Sequence, residues 1–309
     1  MIAVYSLMTS AVWTLLIILA KVGIFAGIIA SAGGIAALRG YHNGSRASHA
    51  RLLSYCLLGA LFGFHSSLAP VLIQAGQIND AGLLGMFDID LVLFLRGTPV
   101  WESAAYRGVG FALSALLVLA LQKTLNAQRK SPEPVFYHIA SFGQALALAL
   151  VAYGFTLSGH ISLLDPWVRA ALTIHVAAMS IWLGMLLPLR WCCVDMQMDP
   201  LIKQMTRFSR LGIGLVATLV FTGITMLLSL IDVVDLFTTN YGRLMLLKLV
   251  AFTAVLLFAA LNKWRYVPAL SLPGGNQKLV RNIDREIFGA AALLIVAAVL
   301  TTALGPSSH

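Results

Sequence analysis

Between residues 157 and 184 the chain reads Leu157-Ser158-Gly159-His160, a short turn through Asp165 and Pro166, then an apolar stretch carrying His175, Met179, Trp182 and Gly184. His175, Met179 and Trp182 recur at i, i+4 and i+7, so a helix places them on one face. Ionisable and soft-donor side chains are costly in hydrocarbon, and where they occur they are usually functional. Imidazole with thioether is a copper-type donor set, the thioether favouring Cu(I). His175 lies about eight residues, or roughly 12 Å, inside the outer end of its segment. His65 lies at similar depth in a second apolar segment, and His160 ends a third just before Asp165. A site in the outer half of a helix bundle is expected to draw on His65, His160, His175 and Met179, with His160 and Asp165 at its mouth. The plainer role for any one histidine is a hydrogen bond to a neighbouring helix; three at matched depth point to a site.

Other donors carry less weight. Trp182 reads first as packing, although its ring could face a cation. His42 and His49 sit among arginines in a connection, His138 begins a segment and His309 lies in the tail. All four read as solvated or interfacial. Most methionines fill cores. Met226 stands beside Thr218, Thr222, Thr225 and Ser229, a polar stripe suited either to a path or to interhelical hydrogen bonds. Cys56, Cys192 and Cys193 fall at inner segment ends. Ordinary free thiols are the favoured reading, and exit ligands for Cu(I) the sharper one. Lys21 and Lys248 are embedded in apolar sequence with no acid in the middle of any segment. Helix-end carbonyls, desolvated neutrality or an anionic group on a bound cofactor would each accommodate them. No Gly-rich phosphate loop, Ser-His-Asp arrangement or His-Glu-x-x-His motif is present, and no soluble ATP-hydrolysing module, so no enzyme is expected.

The elements that must position these residues are membrane spans. The 309 residues are 59% hydrophobic and 11% charged, against roughly 25% charged in a soluble domain. A span needs about 20 apolar residues, and stretches near 11–38, 51–75, 103–122, 136–158, 167–190, 208–231, 241–262 and 286–304 qualify. The expectation is one all-α membrane domain over 1–309, an eight-helix bundle. The first stretch has no positive leader and is too long for a signal core, so it reads as a span.

The net charge of +9 is distributed by side. Connections after spans one, three, five and seven hold clusters such as Arg39, Arg46 and Arg51, or Lys263, Arg265, Lys278, Arg281 and Arg285. The alternate connections hold few cations and most of the aspartates. The positive-inside rule puts both termini outside, and the charge reports topology rather than nucleic-acid binding. The outer connection, about 76–102, is too apolar for a solvated loop and too interrupted for a span, so an interfacial or re-entrant segment is expected. Gly23, Gly27 and Ser31, Gly59 with Gly63, and Gly212 with Gly214 have helix-packing spacing. No internal repeat is evident.

Three stretches resemble the CopD (PcoD) copper-resistance membrane proteins. They are Ser158-Gly159-His160 with His175 to Leu189, Arg207 to Gly212 leading into Leu219 to Gly223, and Tyr241 to Leu249 with Leu261 to Pro268. The resemblance runs from about 155 to 268, and the span layout extends it. It implies a multi-pass protein of a bacterial inner membrane that passes copper, mostly inward, beside a periplasmic CopC-like copper-binding partner. It also implies architectural roles for Lys248 and Asn262. Relatives with a fused CopC-like domain exist; here the partner would be separate, and the outer connection would be its docking surface. The rival expectation is a b-type haem or quinone-linked redox protein with His65 and His175 as axial ligands. A third is an accessory protein that only docks a copper carrier.

Overall fold

The computed structural model describes residues 2–40, 44–79, 81–127 and 132–303, with side chains described from residue 11 to 302. His42 and His309 lie outside these residues.

Among the described residues every regular element is helical. In chain order the long helices are α1 (Ile2–Gly40), α2 (Arg46–Asn79), α4 (Pro99–Ala127), α5 (Pro134–Gly154), α6 (Pro166–Gly184), α8 (Met198–Leu230), α10 (Asn240–Leu261) and α11 (Gly275–Ala303). The short ones are α3 (Ile89–Phe94), α7 (Leu186–Asp195), which continues the line of α6, and α9 (Val233–Thr238). Backbone polar groups have no water partner in hydrocarbon, and helices satisfy them internally. Seven helices among the described residues are long and apolar enough to cross a bilayer, the fifth being α6 and α7 together. The eighth expected span, 286–304, is not among the seven; it falls on the second half of α11, whose first half carries Lys278, Arg281, Asp284 and Arg285.

Helix α1 is the hub. It packs on α2, α5, α6 and α11. Glycines set two of these crossings. A Cβ on Gly27 would lie 2.4 Å from the Cα of Gly63, and one on Gly33 would lie 2.1 Å from the carbonyl carbon of Gly184. Only bare backbone allows helices to approach so closely. Gly23 and Gly59 serve the same α1–α2 seam, while a Cβ on Gly63 would meet the Phe111 ring of α4. Gly212 and Gly214 do not: nothing lies within 4 Å of a Cβ built on either, because α8 packs chiefly on α6 and leaves these glycines beside open space.

The outer connection folds as a short 3-10 helix, Gly82–Phe87, followed by α3, both packed on α2. Asp88 caps α3 by accepting from the Leu91 amide and also accepts from Asn79. Leu84, Phe87, Ile89 and Phe94 are exposed on it. This pattern fits the expected interfacial segment.

At the other end, ion pairs brace the bundle. Arg51 reaches Asp195 at 2.6 Å, and Arg190 grips Asp284. The Asn276 amide donates to the Cys193 carbonyl. One core cluster fills this end and a second fills the middle.

Candidate metal centre

Helix α6 begins at Pro166, which presets the first helical turn, with Asp165 as its N-cap. From there the 3.6-residue period turns His175 and Met179 inward, half-buried, while Ile174 faces out. The His175 Nδ1 lies 3.0 Å from Thr222 Oγ1 on α8. The Thr222 hydroxyl donates its own proton to the Thr218 carbonyl at 2.6 Å. Thr222 therefore accepts from His175, which fixes the proton on Nδ1 and leaves the Nε2 lone pair available. Gly223 lies beside the ring: a Cβ there would stand 3.6 Å from His175 Cε1, an ordinary van der Waals contact. Lys248 on α10 lies within Coulombic range of His175 and makes no hydrogen bond or ion pair among the described residues. Met179, one turn on, packs on the central core cluster. Trp182 is buried and meets Phe252 of α10 edge-on.

The other expected donors lie elsewhere. His65 is exposed on α2, its Nδ1 2.8 Å from the Leu61 carbonyl of its own helix and its ring against Phe64. Helix α1 packs against both α2 and α6. His65 is exposed and bonded to its own helix while His175 turns inward to α8, so the structure does not bring the two together as a shared site or an axial haem pair. His160 opens a short 3-10 turn after Gly159, whose φ of +80° suits glycine, and is exposed. Asp165 is exposed and accepts from the Trp167 indole. Both occupy the connection leading into α6. Among the described residues no three His, Cys, Asp or Glu side chains gather to hold a metal ion.

Cys56, Cys192 and Cys193 are free and buried in the core cluster at the braced end. Cys56 donates to the Ser31 carbonyl at 2.8 Å. Lys21 takes the helix-end option: its ammonium donates to the Thr301 carbonyl at 2.6 Å, in the last turn of α11. His138 is exposed, as expected. His49 is not solvated. It is 1% exposed and packs edge-on against Tyr137 of α5.

Sequence reasoning missed two features. Arg107 is 6% exposed, its guanidinium bonded to Ser103 and stacked 5.2 Å from the Phe155 ring. Ser103 in turn contacts Ser158, beside His160. The second is a buried amide–carboxyl cluster at a π-turn, Asn262–Tyr266. Asn262 donates to Glu286 at 2.7 Å, and Asn282 donates to Asn262 at 2.7 Å and to the Phe258 carbonyl at 2.8 Å. Asn282 and Glu286 are four residues apart, a helix-face spacing that could have flagged them.

Residues 202–300 match the family model for copper resistance protein D, CopD. No curated protein and no solved structure matches the chain. The match takes in Thr222, Gly223, Lys248 and the Asn262–Glu286 cluster, and it leaves the His160 to Leu189 stretch outside. With its apolar helices and this segment, the chain is a multi-pass inner-membrane protein that carries the CopD copper-resistance signature over residues 202–300.

Proposed function

We propose that this protein moves copper ions across the inner membrane, from periplasm to cytoplasm, with His175 and Met179 as the intramembrane ligands. One observation carries the reading. His175 faces inward on α6 with Nδ1–H held by Thr222, so Nε2 remains a donor. Metal-binding histidines are oriented in this way by a partner at the other ring nitrogen. Met179 supplies a thioether one turn away, a pairing suited to Cu(I). A site with so few ligands binds loosely enough to release its cargo, as passage requires. His160 and Asp165, exposed on the connection into α6, form the mouth. His65 has no part in this site. Packing accounts for the three cysteines, so no exit role is assigned to them. A periplasmic copper-binding protein of the CopC type is the proposed donor, docking on the apolar outer connection.

The test is metal content, visible spectrum and copper uptake into proteoliposomes, wild type beside His175→Ala. Wild-type protein is expected to bind and pass copper, and the variant to lose both. Unchanged uptake in the variant would reject the site. A Soret band that disappears with His175 would mean a cytochrome instead.

A further inference from the structure

Helix α11 begins with a stripe of Lys278, Arg281, Arg285 and Phe288, spaced three, four and three residues apart and so aligned on one face. Lys278, Arg281 and Arg285 line a cavity of about 330 Å³, and Arg265, Tyr266 and Ala269 close it from the segment after α10. Four cations thus surround one hollow, and its lining holds no acid. The two nearest carboxylates in sequence are engaged elsewhere. Asp284 is gripped by Arg190, and Glu286 is 1% exposed and turned into the cluster with Asn262. Among the described residues none of the four cations makes a hydrogen bond or ion pair.

The positive-inside rule calls for cations in this connection, but it does not call for gathering them around a single concavity. Like charges so arranged repel, and an anion between them would offset that cost. Apolar surface begins on the same stripe. Phe288 is 78% exposed, one turn beyond Arg285, and Trp264 is 71% exposed beside Arg265. Aromatic side chains of this kind sit at the headgroup level of a bilayer. A cavity edged in this way suits the level where polar headgroup gives way to acyl chain.

We propose that this cavity binds the headgroup of an anionic phospholipid. Its phosphate is held by Arg281, Arg285, Arg265 and Lys278, and its chains run down past Phe288. Arginine's fork of donors matches phosphate oxygens. A free phosphate would satisfy the charges but would leave the apolar continuation unused.

The test uses the full chain in neutral detergent, titrated with phosphatidylglycerol, phosphatidylcholine or inorganic phosphate and read by native mass spectrometry. Wild type is expected to retain phosphatidylglycerol selectively. Arg281→Gln with Arg285→Gln should bind it roughly 30-fold more weakly, about fivefold for each charge removed. Arg281→Lys with Arg285→Lys, which keeps the charge, should retain most of the binding. Arg207→Gln with Arg210→Gln removes two exposed cations of α8 outside the cavity and should have little effect. Equal losses in both glutamine doubles would overturn the proposal in favour of diffuse surface attraction. Equal retention of phosphatidylcholine would overturn it, as would loss of binding in the lysine double. Displacement of the lipid by millimolar inorganic phosphate would assign the cavity to a free anion instead.

Discussion

A single hydrogen bond decides what His175 can do. Because Thr222 spends its proton on the Thr218 carbonyl, it can only accept from the imidazole, and the distal nitrogen stays a base. Thr222→Val keeps the shape of the side chain and removes that acceptor. Loss of an orienting partner typically costs 10–100-fold in metal affinity, so Thr222→Val is expected to weaken copper binding by about tenfold with the fold intact. Competition with a Cu(I) chelator measures this directly, and an unchanged affinity would mean that Thr222 does not orient a ligand. The threonine stripe along α8 is visible in sequence, but its use is not. Thr218 and Ser229 bond carbonyls of their own helix, whereas Thr222 also meets His175 of the neighbouring helix.

At the scale of elements, polar groups join helices that apolar packing alone would leave free to slide. Helices α10 and α11 are tied by Asn262, Asn282 and Glu286 at the π-turn, a local widening that often marks a specialised position. The Asn262 amide needs the Glu286 oxygen. Glu286→Gln keeps an acceptor there and should be well tolerated. Glu286→Leu leaves the amide unpaired and should cost about 1–3 kcal/mol. Thermal unfolding in detergent compares the two, and equal midpoints would show that the hydrogen bond does not hold the pair together. The outer connection is the counterpart at the opposite end. Its short helices expose Leu84, Phe87, Ile89 and Phe94 while Asp88 fixes the turn between them.

For the whole molecule the outstanding question is orientation. By the positive-inside rule, the distribution of Lys and Arg among alternate connections predicts that both termini and the α5–α6 connection lie outside. Leu163, 84% exposed in that connection, offers a label site, and Gln277, exposed at the start of α11, offers one for the other side. In spheroplasts a membrane-impermeant thiol reagent should modify Leu163→Cys at once and Gln277→Cys only after the membrane is breached. The reverse pattern would invert the topology and with it the proposed direction of copper movement. The native cysteines are buried and give little background.

Composition, span length and charge asymmetry determined the class of this protein, because a bilayer imposes its demands residue by residue along the chain. The apolar runs and the inward phase of His175 and Met179 were legible in that way. Depth along a helix was also legible, but azimuth between helices was not. His65 and His175 match in depth, yet only packing shows that α1 contacts both of their helices and that His65 points out. The same holds for His49, buried where local sequence suggested solvent, and for Gly212 and Gly214, which have helix-packing spacing but where an added Cβ would meet nothing within 4 Å. Pairings such as Thr222 with His175, Lys21 with Thr301 and Asn262 with Glu286 join residues 24 to 280 positions apart. Periodicity fixes which face a residue occupies; only the tertiary structure decides which helix that face meets.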